Sequence, residues 1–160
     1  MKTDEEIKNA IQRYADTVKR IASMYLQNAH DAEDIFQTVF LKYALYLNVF
    51  KSREHEKAWI IRVSINCCKD FLKSAWKRKV ELSNDKSSII AAIPPAHQDL
   101  LQAVRELEPK YRDAVYLHYY EGYKASEIAK ITGRRENTVY SLLARAREQL
   151  KQKLGGEYGG

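Results

Sequence analysis

Residues Ser126–Leu150 read "SEIAKITGRRENTVYSLLARAREQL", two short apolar rhythms on either side of one glycine. Where two helices cross steeply, sterics dictate residue types at fixed spacings. A small side chain is needed at the crossing, and Ala129 stands there. A glycine suits the turn four residues on, where a positive φ is favoured, and Gly133 stands there. Apolar plugs follow six and nine residues later as Val139 and Leu142, while Ile128 and Ile131 complete the buried side. The stretch is a helix-turn-helix pattern, although a tight helical hairpin with another purpose shares part of it.

Turning the last helix by about 100° per residue sends Val139, Leu143, Ala146 and Leu150 inward. Asn137, Ser141, Ala144 and Glu148 then face directly away, flanked by Tyr140 and Arg145. In a docked motif the N-terminal residues of this helix reach base edges in the major groove. Arg134 and Arg135 in the turn suit phosphate or a guanine edge, and Asn137 suits adenine. Tyr140 has the alternative of packing on a neighbouring helix. Arg147 and Lys151 read as backbone contacts or as solvated charges.

Outward from this motif the helical period continues. Leu100, Leu101, Val104 and Leu107 mark a short helix. Pro109 suits the first turn of the next, which is expected to end at Glu121 with Gly122 in the left-handed position. Ser126 is placed to cap the following helix, and the last is expected from about Glu136 to Leu154. Before all of these, the polar "ELSNDKSS" and Pro94-Pro95 interrupt the pattern, giving a linker over 81–97. The closing "GGEYGG" reads as a tail.

The chain ahead of the linker is helical too. Ile7, Ile11, Tyr14, Val18, Ile21 and Tyr25 predict a helix from about Asp4 to Gln27. A second starts with Asp31 as its cap and buries Ile35, Val39, Phe40, Tyr43 and Leu47. The polar run Lys51–Lys57, "KSREHEK", breaks the rhythm, and a third helix is expected from about Ala58 to Lys79. That helix has an apolar stripe (Ile60, Val63, Cys67, Phe71) and a cationic or amide stripe (Arg62, Asn66, Lys69, Lys73, Lys77). The polar stripe fits a nucleic-acid face and a solvated surface equally. Phe50, Trp59 and Trp76 border it, and aromatics beside cations can stack on unpaired bases. For Trp59 a place in the core is the equal alternative. The expectation is an all-α chain of two small helical domains, 1–80 and 98–154, joined by a flexible linker at 81–97 and followed by a tail at 155–160.

Composition agrees with two packed lobes that meet a polyanion. Of 160 residues 45% are hydrophobic, and Lys+Arg 27 against Asp+Glu 21 gives a net charge of +6. The excess gathers in two places. Lys69–Lys79 has five basic residues against Asp70, and Arg134–Lys153 has six against Glu136 and Glu148. Cys67 and Cys68 are adjacent, where a disulfide is strained, so a reducing setting is expected. The acidic start is unlike a secretory signal, and no apolar run nears the roughly 20 residues a bilayer needs. A cytoplasmic protein without membrane insertion is the expectation. Histidines 30, 55, 97 and 118 are scattered, no glycine-rich phosphate loop appears, and neither catalytic residues, a metal nor a cofactor is expected.

"DAEDIFQTVFLKYALYL" followed by a polar loop and "AWIIRVSINCCKDFLK" resembles region 2 of bacterial sigma factors of the extracytoplasmic-function (ECF) type, within the sigma-70 family. "LEPKYRDAVYLHYYEGYKASEIAKITGRRENTVYSLLARAREQL" resembles their region 4. The two occur in the right order and cover nearly the whole chain. The resemblance implies a dissociable factor that directs core RNA polymerase to promoters, recognises −35 and −10 elements and assists melting. It implies docking on the β′ clamp helices through Asp31, Glu33, Asp34, Gln37 and Phe40, with the β flap as a second polymerase contact. It implies contact with the −10 element, including an extruded base, through Asn48, Lys51, Arg53, Trp59, Arg62, Asn66, Lys69 and Lys73. The −35 element would meet Arg134, Arg135, Asn137, Thr138, Tyr140, Ser141 and Arg145. Promoter DNA and an anti-sigma factor are the other implied partners, and the linker acids Glu81 and Asp85 would thread toward the RNA exit path.

The sequence departs from the family at the −35 reader. A serine-like cap is common near Arg135, a small residue at Asn137, and basic residues near Tyr140 and Leu142. Promoter preference is therefore to be sought at Arg135, Tyr140 and Leu142. The competing readings are a stand-alone helix-turn-helix regulator and a sigma-like protein acting mainly through an anti-sigma partner. The acidic second helix and the aromatic, cationic third helix distinguish them, because a plain regulator needs neither.

Overall fold

A computed structural model of the chain describes residues 1–78 and 98–153. The chain divides into two compact units, Met1–Pro94 and Pro95–Gly160. Every regular element among the described residues is helical. The expected linker at 81–97 and tail at 155–160 lie outside the described residues.

The first unit is a three-helix bundle of α1 (Asp4–Tyr25), α2 (Ala29–Leu45) and α3 (Arg53–Arg78), each packed on the other two. Thr3 and Glu6 form a capping box at the start of α1, satisfying two amides that the helix leaves open. The helix stops at Tyr25, two residues sooner than its periodicity suggests, because Leu26 turns extended and buries its side chain. Asn28, not Asp31, caps α2: its side-chain oxygen accepts the amides of His30 and Asp31 at 2.8 and 3.1 Å. Asp31 instead lies in the first turn, where the helix dipole favours it. Leu47, expected in the core, is 78% exposed beyond the end of α2.

The start of α3 differs most from the sequence reading. The helix begins at Arg53, inside the polar run that seemed to break the rhythm. Ser52 Oγ accepts the His55 amide and the Ser52 carbonyl accepts the Glu56 amide, so the serine ends the loop. This places Glu56 in the bundle interior. Its carboxylate accepts the hydroxyls of Tyr14 from α1 and Tyr43 from α2, each at 2.8 Å, with Arg13 at 3.3 Å and Arg53 at 3.6 Å. One carboxylate thus ties all three helices. Burial alone raises its proton affinity, but the two hydroxyls and then the two guanidiniums outweigh it and hold Glu56 below the ordinary glutamate value. Burial, and then the bond to Glu56, push both tyrosines up.

The second unit holds α4 (Gln98–Arg105), α5 (Pro109–Val115), α6 (Ala125–Thr132) and α7 (Glu136–Lys153). The expected single helix from Pro109 to Glu121 is α-helical only to Val115 and then widens into one π-helical stretch, Tyr116–Tyr120. Tyr116 and Tyr120 stack across it, 5.2 Å between centroids. Gly122 closes the segment at φ 80°. Ser126 is exposed in the first turn of α6 rather than its cap; the Lys124 amide donates to Glu127 Oε1 at that end.

Candidate nucleic-acid interface

Gly133 adopts φ 71° after α6, and the Ala129 carbonyl accepts the amides of both Gly133 and Arg134. Ile128, Ile131, Val139 and Leu142 are buried between the two helices, as the spacing requires. Val139, Leu143, Ala146 and Leu150 form the inward seam of α7. The opposite face exposes Arg135, Asn137, Thr138, Ser141, Ala144, Arg145 and Glu148. Asn137, Thr138, Ser141, Leu142 and Arg145 line one shallow depression of about 270 Å³. Tyr140 is 58% exposed, so it does not pack on a neighbouring helix.

Arg134 is placed differently from its neighbour. Its guanidinium forms a bidentate pair with Asp113 of α5, 2.7 Å from Nη1 to Oδ1 and 3.2 Å from Nη2 to Oδ2. Asp113 is fully buried and the Arg134 side chain is only 17% exposed. The expectation that Arg134 reaches DNA is therefore corrected: its donors point into the unit, where they fix the turn against α5. Arg135 alone projects from the turn.

In the first unit Arg62, Asn66 and Lys73 are exposed along α3 with Lys69 half-buried among them, a single outward stripe. Trp59 is 8% exposed and belongs to the core alternative. It packs against Tyr46 at 4.7 Å and Phe50 at 5.6 Å between centroids, with Tyr43 at 6.1 Å. These rings anchor the loop between α2 and α3. Phe50 folds inward on them, while Asn48 and Lys51 stay exposed. Arg53 is exposed at the start of α3.

On α2, Glu33, Asp34 and Gln37 are exposed and Asp31 is half-buried. Phe40, expected on the docking face, is 5% exposed and packs with Phe36. It is a core residue because it follows Phe36 by four positions on the inward face. The exposed face continues instead through Thr38, Leu41 (61% exposed) and Leu45 (56%). Leu41 was in neither the expected core nor the expected docking face; its spacing of seven from Asp34 and four from Gln37 puts it on their side of the helix. His30, Asp31 and Asp34 bring ligand-type atoms within 4.8 Å of one another, but on a solvent-facing side of the start of α2. Cys67 and Cys68 are free and buried, and burial pushes both thiols up, away from reactivity.

Residues 10–78 match the family described as Sigma-70 region 2, and residues 97–150 match Sigma-70, region 4. The RNA polymerase sigma factor SigV of Bacillus subtilis is 30% identical over 142 residues, spanning 86% of this chain and 84% of that protein. The ECF RNA polymerase sigma factor SigE of Mycolicibacterium smegmatis is 30% identical over 154 residues, 90% of this chain and 60% of the relative. The fold matches that of the sigma factor RpoE of Bartonella quintana, solved in complex with the anti-sigma factor NepR, with a TM-score of 0.72 at 22% identity over 96% of this chain and 99% of that one. The chain belongs to the sigma-70 family of RNA polymerase sigma factors, in the ECF subfamily. Such proteins are DNA-binding initiation factors. No helix among the described residues is long and apolar enough to cross a membrane.

Proposed function

We propose that the two units grip one promoter at two places while the first also holds core RNA polymerase. The observation that carries this reading is the pair of outward polar faces on separately folded units: Arg62, Asn66, Lys69 and Lys73 on α3, and Arg135, Asn137, Thr138, Ser141 and Arg145 on α7. The α7 face enters the major groove of the −35 element, with Tyr140 at its edge and Arg134 setting its angle from within the unit. The α3 stripe holds phosphates of the −10 element. Asn48, Lys51 and Arg53 meet the strand that opens, and an extruded base recovers its lost stacking on the loop.

The exposed face of α2, from Glu33 and Asp34 through Gln37 to Leu41, docks on the β′ clamp helices. A polar margin beside a protruding leucine suits a protein interface. The β flap meets the second unit. The factor works in the cytoplasm and forms a complex with an anti-sigma protein, as the RpoE neighbour does with NepR. It needs no cofactor and performs no chemistry itself; the polymerase does. Promoter-specific run-off transcription with purified core polymerase tests the whole reading. Asp34→Arg with Gln37→Ala is expected to abolish initiation, and intact initiation refutes the α2 assignment.

A further inference from the structure

We propose that Lys2 is a positioning residue for promoter opening: by clipping the α2–α3 loop from below, it sets which base that loop accepts. The proposal rests on the reading of this loop as the −10 contact. Lys2 comes just ahead of α1, yet its hydrogen bonds reach the far end of α2. Its amide donates to the Ala44 carbonyl at 3.0 Å, and its Nζ donates to the Tyr46 carbonyl at 2.6 Å. Both acceptors are carbonyls at the C-terminal end of α2, a place where helices leave such groups open and cations are favoured.

The same ammonium lies 4.7 Å from the centroid of Tyr43, 5.2 Å from Tyr46 and 5.4 Å from Phe50. Three ring faces and a carbonyl define its position, and such contacts strengthen as water is excluded. These rings also carry Trp59 and the inward turn of Phe50, so the clip and the aromatic cluster are one unit.

The cleft beside it, about 370 Å³, is lined by Met1, Lys2, Glu6, residues 46–50 and the carboxylate-bearing Glu56, among others. Its two carboxylates oppose a phosphate, and its rings and carbonyls suit the edge and face of a nucleobase. The ammonium, turned toward the Tyr46 carbonyl, holds the wall of the cleft rather than the DNA. Loss of the clip releases Leu47, Asn48 and Val49, the outward part of the loop, from a fixed path.

The test uses holoenzyme assembled from the full chain and core polymerase, with 2-aminopurine in the −10 element reporting opening. Lys2→Ala is expected to slow opening by about tenfold, the scale of one lost charge-assisted hydrogen bond, and to flatten discrimination among single-base variants of the −10 element. Lys2→Arg, which keeps a cation and donors within reach, restores both. Core binding and −35 duplex binding stay at wild-type values, and the melting temperature falls by no more than the few degrees one such bond is worth. Normal opening and discrimination by Lys2→Ala, with opening lost in Asn48→Ala/Lys51→Ala, overturns the role of Lys2 and leaves the loop reading standing. Normal opening by both variants overturns the loop reading and the proposal with it. Parallel loss of core binding and heat stability in Lys2→Ala overturns positioning in favour of a general folding role.

Discussion

Glu56 is one of two acids in a run of polar residues, and three helices converge on it. The sequence around it looks like a surface loop because all seven residues of Lys51–Lys57 are hydrophilic. Nothing in hydropathy separates a buried carboxylate from a solvated one; only the meeting of Tyr14, Tyr43 and Arg13 does. Glu56→Gln is expected to destabilise the first unit by about 1–3 kcal/mol at neutral pH, measured by chemical denaturation. The sign with pH follows from a folded-state proton affinity below the unfolded one. The stabilisation is present above the ordinary glutamate value and is lost as pH falls through the lowered one, so the wild-type stability curve steepens on its acid side and the Gln variant is flatter there. Arg134 shows the same limit: a charge in a turn reads as outward until Asp113 is seen behind it. Arg134→Ala takes two guanidinium bonds from a buried carboxylate and is expected to cost about 3 kcal/mol of second-unit stability. Arg135→Ala is expected to leave the melting temperature unchanged while lowering the salt slope of −35 duplex binding by about one. Equal melting losses in both variants contradict this division of labour.

Elements were more legible than their ends. The apolar stripes of α1, α2 and α7 gave those helices from periodicity alone, because their buried faces are built from side chains that hydropathy recognises. The caps were harder: Asn28 displaced Asp31, and the Lys124 amide displaced Ser126, since several polar residues compete at each start and geometry selects one. The turn before α7 was readable because sterics leave few options. At φ 71° Gly133 has open space where a Cβ would stand, so Gly133→Ala introduces backbone strain alone. A loss of about 1–2 kcal/mol in thermal unfolding is expected, without repacking. On α2, periodicity named the right helix and buried Phe40 correctly; the family resemblance was what set Phe40 on the docking face. Leu41→Asp is expected to weaken core-polymerase binding in a pull-down or anisotropy titration while leaving the fold intact. Phe40→Ala removes a buried ring and is expected to lower stability by about 3 kcal/mol or more.

At the scale of the whole chain, two small helical units gain meaning from being joined. Either alone is compatible with several roles: a helix-turn-helix binds duplex DNA in many settings, and a basic three-helix bundle is not specific. The order of the two, with acidic, apolar and cationic faces on one bundle, is what sequence made legible and the matches to region 2 and region 4 support. Individual base contacts were less legible, because an exposed polar face has no packing pattern to fix which residue does what. Run-off transcription from a promoter carrying both elements, using core polymerase and the purified chain, tests the central claim most directly. The account predicts a discrete transcript that requires both elements and vanishes with Asp34→Arg/Gln37→Ala. A protein that footprints the promoter tightly without polymerase, and never supports a transcript with it, contradicts the account.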